Sequence, residues 1–313
     1  MKAVVIDRYG GNEVIEIRDL PRPVPGPDDI ILKVQAASVN PVDWKIRSGM
    51  TKVLTGFRFP KVLGSECSGI VAEKGKNVRQ FREGDQVIGF PGIRRLAAFA
   101  EYASVREKNV YPKPVNISFE QASTIPISGL TALQCLRDLG KIRQGLHVLI
   151  NGAAGGVGHY AIQIAKIFDV VVTGVCSPGK MAFVTELGAD SVLDYTREDF
   201  TKGQERYDII FDTVSKRSFS ECKRVLAPAG IYINTLPTLD VLLNQFVTGH
   251  FSSKKARTAM VRPNFSDMNW MKTKIEEGRI RIVIDRTYPL EQVGEAFAYS
   301  ESEKARGKIA LLL

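Results

Sequence analysis

Residues 144–166, QGLHVLINGAAGGVGHYAIQIAK, constrain the fold of this chain more than any other stretch. An apolar run, residues 147–150, is short enough for a buried strand. A glycine-rich turn follows, Gly152-Ala153-Ala154-Gly155-Gly156-Val157-Gly158. Beyond it Val157, Ala161, Ile164 and Phe168 recur at helical spacing and predict one apolar helix face. Strand, glycine turn and helix in that order make a candidate dinucleotide site. Gly155 and Gly158 are expected to let the backbone approach a pyrophosphate and the helix approach its strand. The N–H groups of the turn and helix start (Ala153, Gly155, Gly156, Val157, Gly158) would then face the phosphates. Ala153 stands where the usual G-x-G-x-x-G has its first glycine. A tight turn that holds no ligand is the competing interpretation.

Strands and helices alternate around this unit. Strands are expected at 170–176, 191–195, 208–213 and 230–235, and helices at 180–187 and 219–226. That alternation implies a doubly wound parallel sheet with helices on both faces. Up to roughly Thr124 the texture is different. Short strands at 2–7, 30–37, 62–71, 86–89 and 101–105, with Gly and Pro between them, imply a compact, barrel-like β-domain. Pro21, Pro23, Pro25 and Pro27 mark an extended connector. Residues 119–125 and 130–139 read as helices separated by a break at 126–129. The tail carries a helix at 265–277 ended by Gly278, another at 290–300, and a last strand at 308–313.

A length of 313 residues fits about two domains, and 44% apolar with 25% charged residues fits a soluble protein with a real core. The net charge of +9 raises the question of nucleic acid or an anionic membrane. No run of five basic residues and no aromatic-interleaved basic stripe exists; the densest cluster is Lys254, Lys255, Arg257 and Arg262. A dispersed basic surface around an anionic cofactor is the simpler account, and no nucleic-acid partner is expected. Cys67, Cys135, Cys176 and Cys222 are far apart and form neither a disulfide framework nor a zinc knuckle, so a reducing, cytoplasmic setting is expected. The first residues run straight into a strand pattern, and no apolar run approaches a membrane span, so stable membrane insertion is not expected.

Several segments together resemble the medium-chain dehydrogenase/reductase superfamily. They are the Ala153-x-Gly155-x-x-Gly158 turn, Ser128-Gly129-Leu130-Thr131-Ala132, Gly64-Ser65-Glu66-Cys67-Ser68-Gly69 and Gly307-Lys308. Asn40-Pro41-Val42-Asp43-Trp44-Lys45 and the run Gly155 to Ala161 are similar to the zinc-free quinone oxidoreductase branch, with its enone and alkenal reductases. The resemblance implies a GroES-like β-barrel domain from residues 1–125 and 266–313. It implies a Rossmann NADPH-binding domain from 126–265, an active site in the cleft, and a homodimer or tetramer.

Zinc-dependent members of the superfamily carry Cys and His where this chain has Asn40 and Ser65, neither a good zinc ligand. Without a Lewis acid, dehydrogenating an alcohol is hard, whereas a conjugated acceptor spreads its developing charge into an enolate or hydroquinone. The expected activity is therefore hydride transfer from NADPH to a quinone or an α,β-unsaturated carbonyl. A non-catalytic NADPH-binding protein and a metal-dependent alcohol dehydrogenase are the competing classes. NADPH is expected over NADH because the second strand runs into Ser177 and Lys180 with no acid at its end; Asp169 sits at the other end. In the quinone reductases that this chain resembles, a Lys at the position of Lys180 and a Tyr at that of Tyr195 hold the 2′-phosphate. The resemblance also places Asn40 where its amide would donate to a substrate carbonyl or orient the nicotinamide. It places Thr131, Thr235 and Leu236 near the nicotinamide. Asp43 reads as the cap of a helix starting at Trp44, and Lys45 as solvated. Residues 240–262 would lid the pocket or pair subunits.

Overall fold

The computed structural model describes residues 1–236 and 239–313. It contains two units by internal packing: Met1–Ile127 with Pro263–Glu277 and Val283–Leu313, and Ser128–Arg262 with Gly278–Ile282.

The first unit begins with eight strands. They are β1 (Lys2–Ile6), β2 (Glu16–Asp19), β3 (Asp29–Val39), β4 (Lys61–Val62), β5 (Cys67–Lys74), β6 (Gln86–Gly89), β7 (Tyr102–Arg106) and β8 (Val110–Pro112). Strand β3 is the spine, pairing antiparallel with both β5 and β7. The single strand expected at 62–71 is two, because Gly64 turns the chain at φ +93°, and a Cβ there would lie 2.5 Å from the Phe99 backbone nitrogen. Helix α1 (Pro41–Arg47) starts three residues earlier than expected, with Asn40 as its N-cap and Pro41 as its first residue. Asp43 is not the cap but the third helical residue, and its carboxylate accepts the Asn40 N–H at 2.8 Å.

The second unit contains β9 (His147–Asn151), α2 (Gly158–Ile167), β10 (Val171–Cys176), β11 (Ser191–Asp194), β12 (Tyr207–Asp212), β13 (Leu226–Asn234), α3 (Leu239–Phe251) and β14 (Lys255–Thr258). The strand order is β11-β10-β9-β12-β13-β14, and every pairing is parallel. This is the doubly wound sheet expected from the alternation. The helix expected at 219–226 stops at Cys222, and Leu226 instead opens β13 opposite Tyr207. The break expected at 126–129 is absent. Ile125–Gly129 and Cys135–Leu139 are widened helical turns on either side of Leu130–Gln134, and Pro126, which cannot donate to the ladder, falls in the first of them.

The chain then returns to the first unit with a helix, Phe265–Glu276. Strand β15 (Ile284–Pro289), a helix (Val293–Glu301) and β16 (Lys308–Leu312) follow. Strand β16 pairs antiparallel with β3, which makes the last residues part of the N-terminal sheet. The core of this unit joins both ends of the chain, with Val4, Leu32, Phe99, Phe297 and Leu311 in one cluster. No helix among the described residues is long and apolar enough to cross a membrane.

Candidate functional site

In the second unit the glycine turn leaves β9 at its carboxyl end. Gly152 and Ala153 both donate their N–H to Val175 O of β10, at 3.1 and 3.0 Å, which ties the turn to the neighbouring strand. Gly152 has φ +80°, and a Cβ on it would meet Thr213 Oγ1 at 2.5 Å. A Cβ on Gly158 would lie 2.2 Å from Gly152 O and 2.6 Å from Ala153 O, both backbone atoms. Close approach of helix to turn therefore demands glycine at 158, while the left-handed backbone favours it at 152. At Gly155 the same test finds only Gly152 O, at 3.3 Å. The first bonds into α2 run from His159 N to Gly155 O and from Ala161 N to Val157 O. Gly155 N donates to Gly152 O at 3.0 Å and Ala153 N is held by Val175 O, so, against expectation, those two N–H groups do not face a phosphate. Those of Gly156, Val157 and Gly158 have no carbonyl partner among the described residues, and a helix start with that property attracts phosphate. The turn fits a pyrophosphate by this construction.

The next strand end is shared by the residues expected to meet a 2′-phosphate. Cys176, the last residue of β10, pairs with Asp194, the last of β11, and Tyr195 N donates to Cys176 O at 3.2 Å. Ser177 and Lys180 follow Cys176 directly, and the Tyr195 side chain is exposed. Asp194 is an acid at this edge that comes from β11 and not from the strand after the glycine turn. Its carboxylate accepts Thr196 N at 2.9 Å and Thr196 Oγ1 at 2.7 Å, with Arg197 3.7 Å away. The Thr196 bonds, side chain and backbone, hold it below the usual carboxylate range. It is thus turned into its own loop.

Further along the same rim, Asn151, Asp212 and Asn234 are Cα partners across β9, β12 and β13. Thr235 and Leu236 leave β13 just beyond Asn234. Leu236 N donates to Asn234 Oδ1 at 2.7 Å, and Thr235 Oγ1 donates to Thr213 O at 3.3 Å. Pro237, the residue after Leu236, lies outside the described residues. Thr131 is buried in the helix Leu130–Gln134, which packs against α2. The structure therefore brings Ala153, Gly155, Gly156, Val157, Gly158, Thr235 and Leu236 to one end of one sheet, with Ser177, Lys180 and Tyr195 at neighbouring strand ends.

Asn40 belongs to the first unit, where it sits in a buried polar cluster. Its side chain is 2% exposed. Lys308 Nζ donates to Asn40 Oδ1 at 2.6 Å, and Asn40 Nδ2 donates to Glu66 Oε1 at 2.7 Å and more weakly to Ser38 O at 3.4 Å. Ile127 N donates to the other oxygen of Glu66 at 2.6 Å, and Ser65 Oγ donates to Asp43 Oδ1 at 2.7 Å. The amide expected to donate to a substrate carbonyl thus has both donors engaged inside the protein. The buried Lys308 Nζ lies 3.6 Å from the buried Glu66 Oε1, and its charge also acts on the buried Asp43 carboxylate. Burial raises Glu66 and lowers Lys308.

Burial also pushes Asp43 up to about 7, against the bonds from Ser65 and Asn40 that favour its ionised form. An acid raised on folding stabilises the fold fully below its unfolded value, near 4, and that contribution is lost as pH rises through about 7. Unfolding free energy is therefore expected to fall by about 2–3 kcal/mol from pH 5 to pH 8 through this group. Asp43→Asn should flatten that slope in urea titrations across the range; equal slopes for both proteins would remove Asp43 as the cause.

Glu66, Lys308, Asp212, Gly152 and Asp194 shape these sites with little local signal in the sequence. The sequence marks Glu66 and Lys308 only as parts of glycine-bearing segments, and Asp212 only as an acid closing an apolar strand.

Residues 26–115 match the family described as alcohol dehydrogenase GroES-like domain, and residues 187–311 the family described as zinc-binding dehydrogenase. The chain is 32% identical over 320 residues to the chloroplast envelope quinone oxidoreductase homolog of Arabidopsis thaliana, covering 99% of this chain and 97% of that protein. It is 31% identical over 326 residues to the chloroplastic NADPH-dependent alkenal/one oxidoreductase of Arabidopsis thaliana, covering 99% and 79%. Among solved structures, the quinone oxidoreductase from Coxiella burnetii is similar with a TM-score of 0.91 and 31% identity, over 100% of this chain and 99% of that one.

Proposed function

Because the chain belongs to the quinone oxidoreductase branch of the medium-chain dehydrogenase/reductase superfamily, we propose that it is a zinc-independent, NADPH-dependent reductase of quinones or α,β-unsaturated carbonyls. The observation that carries this is the cofactor cradle. A turn where Gly158 leaves no room for a Cβ opens a helix start, and the next strand, which ends at Cys176, is followed by Ser177 and Lys180 with no acid at its end. The unit formed by Ser128–Arg262 and Gly278–Ile282 is the cofactor domain in this proposal, and the other unit is the substrate domain.

NADPH supplies the hydride when bound. The helix start holds the pyrophosphate, while Ser177, Lys180 and Tyr195 hold the 2′-phosphate. Thr131, Thr235 and Leu236 orient the nicotinamide end. Asn40 acts by fixing the corner between β3 and α1, since its amide is held by Lys308 and Glu66. A conjugated acceptor needs chiefly this orientation, because its developing negative charge delocalises. Zinc-independence is supported by Asn40 and Ser65, whose side chains are not zinc-ligand types and are bonded within the protein.

The test is NADPH oxidation against 1,4-benzoquinone, naphthoquinones, short 2-alkenals and enones, with NADH and a chelator as controls. We expect kcat/KM at least about tenfold higher with NADPH than with NADH, a difference of about 1.4 kcal/mol, and no effect of chelation. Equal use of NADH would remove the roles of Ser177, Lys180 and Tyr195. Loss of activity on chelation would make the enzyme metal-dependent.

The assembly in this proposal is a homodimer. Helix α3 turns Val241 and Thr248 inward and leaves Leu239, Leu242, Leu243, Phe246 and Val247 exposed, Phe246 by 72%. A helix more apolar outside than inside calls for a cover, and β14 beside it is the last strand of its sheet. A monomer mass by light scattering would overturn this assignment. The cytoplasmic setting rests on four unpaired, buried cysteines, which fit a reducing compartment; recovery of the native protein with disulfide-linked cysteines would count against it.

A further inference from the structure

Asp212 closes β12 and is fully buried. Its Oδ1 accepts Asn151 Nδ2 at 2.9 Å, Val214 N at 3.2 Å and Ser215 N at 2.9 Å. Its Oδ2 accepts Arg217 N at 3.1 Å, with the Tyr232 hydroxyl 3.2 Å away. Three backbone N–H groups of one turn therefore converge on one carboxylate, the arrangement that gathers anions into backbone nests. The turn is strained, because Ser215 sits at φ +58°, a left-handed conformation that a residue with a Cβ adopts only when its surroundings hold it there.

Two arms leave this turn. On one side Thr213 Oγ1 donates to Asn151 O at 2.8 Å and reaches Gly152 O at 3.4 Å, the start of the glycine turn. On the other, Ser215 Oγ donates to Asn234 Oδ1 at 2.5 Å, the same oxygen that receives Leu236 N. Thr235 N donates to Asp212 O at 3.3 Å. A single polar frame thus spans from Gly152 to Leu236 with Asp212 at its centre. Nothing in the proposed chemistry uses this carboxylate, and its five partners leave it no role toward substrate.

We propose that Asp212 is a positioning residue that sets the spacing between the glycine turn and the Thr235–Leu236 lip, so that one bound dinucleotide engages both. This rests on the assignment of that rim to NADPH. Asp212→Asn keeps the size but places an NH2 group against donors. The expected result is a rise of at least about tenfold in the NADPH Kd by fluorescence titration, with faster hydrogen exchange at Val214, Ser215 and Arg217. Ile210→Val trims a buried side chain of the same strand that takes no part in the polar frame, and it should change the Kd by less than about threefold. Equal damage from both variants would mean a general loss of core stability and would overturn the proposal. Should Asp212→Asn fail to fold, Thr213→Val cuts one arm at nearly constant volume. It should raise the NADPH Kd severalfold with little change in Tm, and an unchanged Kd would overturn the proposal. Failure of the wild-type protein to bind NADPH would overturn the functional assignment and this proposal with it. Equal binding by wild type, Asp212→Asn and Thr213→Val would overturn this proposal alone.

Discussion

Lys308→Met is expected to lower the unfolding free energy by about 3–5 kcal/mol, the usual effect of removing one partner from a buried ion pair. Lys308 is buried together with Asp43 and Glu66, and its ammonium is the one cation bonded into the cluster that they form with Asn40 and Ser65. Its charge is the strongest influence holding the Glu66 carboxyl down against burial. Methionine fills much of the same volume but leaves the Asn40 carbonyl oxygen without its donor and the buried Glu66 carboxylate without its cation, although Glu66 keeps Asn40 Nδ2 and Ile127 N and Asp43 keeps Ser65 Oγ and Asn40 N. Glu66 then either stays ionised without a cation beside it or takes up a proton. The double variant Lys308→Met/Glu66→Gln should recover part of the loss, since Gln keeps an acceptor for Ile127 N and no longer carries charge. Urea denaturation of both variants, read as a double-mutant cycle, measures this coupling. A loss below about 1 kcal/mol for Lys308→Met would show that the pair contributes no more than an exposed one.

The sequence disclosed those parts of the protein whose physics is local. A short apolar run, a glycine turn and a helical repeat sit within two dozen residues, and the β9–α2 unit follows them. Alternation disclosed the parallel sheet, and the tail strand was visible as an apolar run. What escaped notice depends on partners far away in the chain. Lys308 before Ile309-Ala310-Leu311 looks like a solvated charge until β16 lies beside β3 and brings it to Asn40, 268 residues earlier. Leu226 fits a helical pattern with Phe219, and only pairing with Tyr207 makes it strand. Strand β14, Lys-Ala-Arg-Thr, is too polar to signal a strand, and α3 misleads because its apolar stripe faces outward while Val241 and Thr248 face in. The glycine turn itself changed in emphasis. Gly155 and Gly158 stand out in the sequence, whereas packing demands glycine at 158 and a positive φ favours it at 152.

That difference sets the second large effect, expected for Gly158→Val. The nearest atoms to a Cβ at 158 are Gly152 O, Ala153 O and Ala153 C, at 2.2 to 2.7 Å. All are backbone of the turn, so no side chain can swing aside, and relief requires α2 to move off β9. That helix is buried along almost its whole length through Tyr160, Ala161, Ile162 and Ile164. Displacing it should cost about 1–3 kcal/mol or more in overpacking and lower NADPH affinity by at least about a hundredfold, because the helix-start N–H groups move with it. Gly155→Ala is the internal comparison. Its Cβ meets only Gly152 O, at 3.3 Å, and Gly155 is not held at positive φ, so stability should change little. NADPH titration of this variant separates two duties of glycine in such turns. If Gly155→Ala binds NADPH within a fewfold of wild type while Gly158→Val does not, helix-to-turn packing is the constraint. If Gly155→Ala alone loses the cofactor at unchanged Tm, the phosphate backbone must come close enough to touch residue 155, and the site is tighter around its ligand than around its own helix.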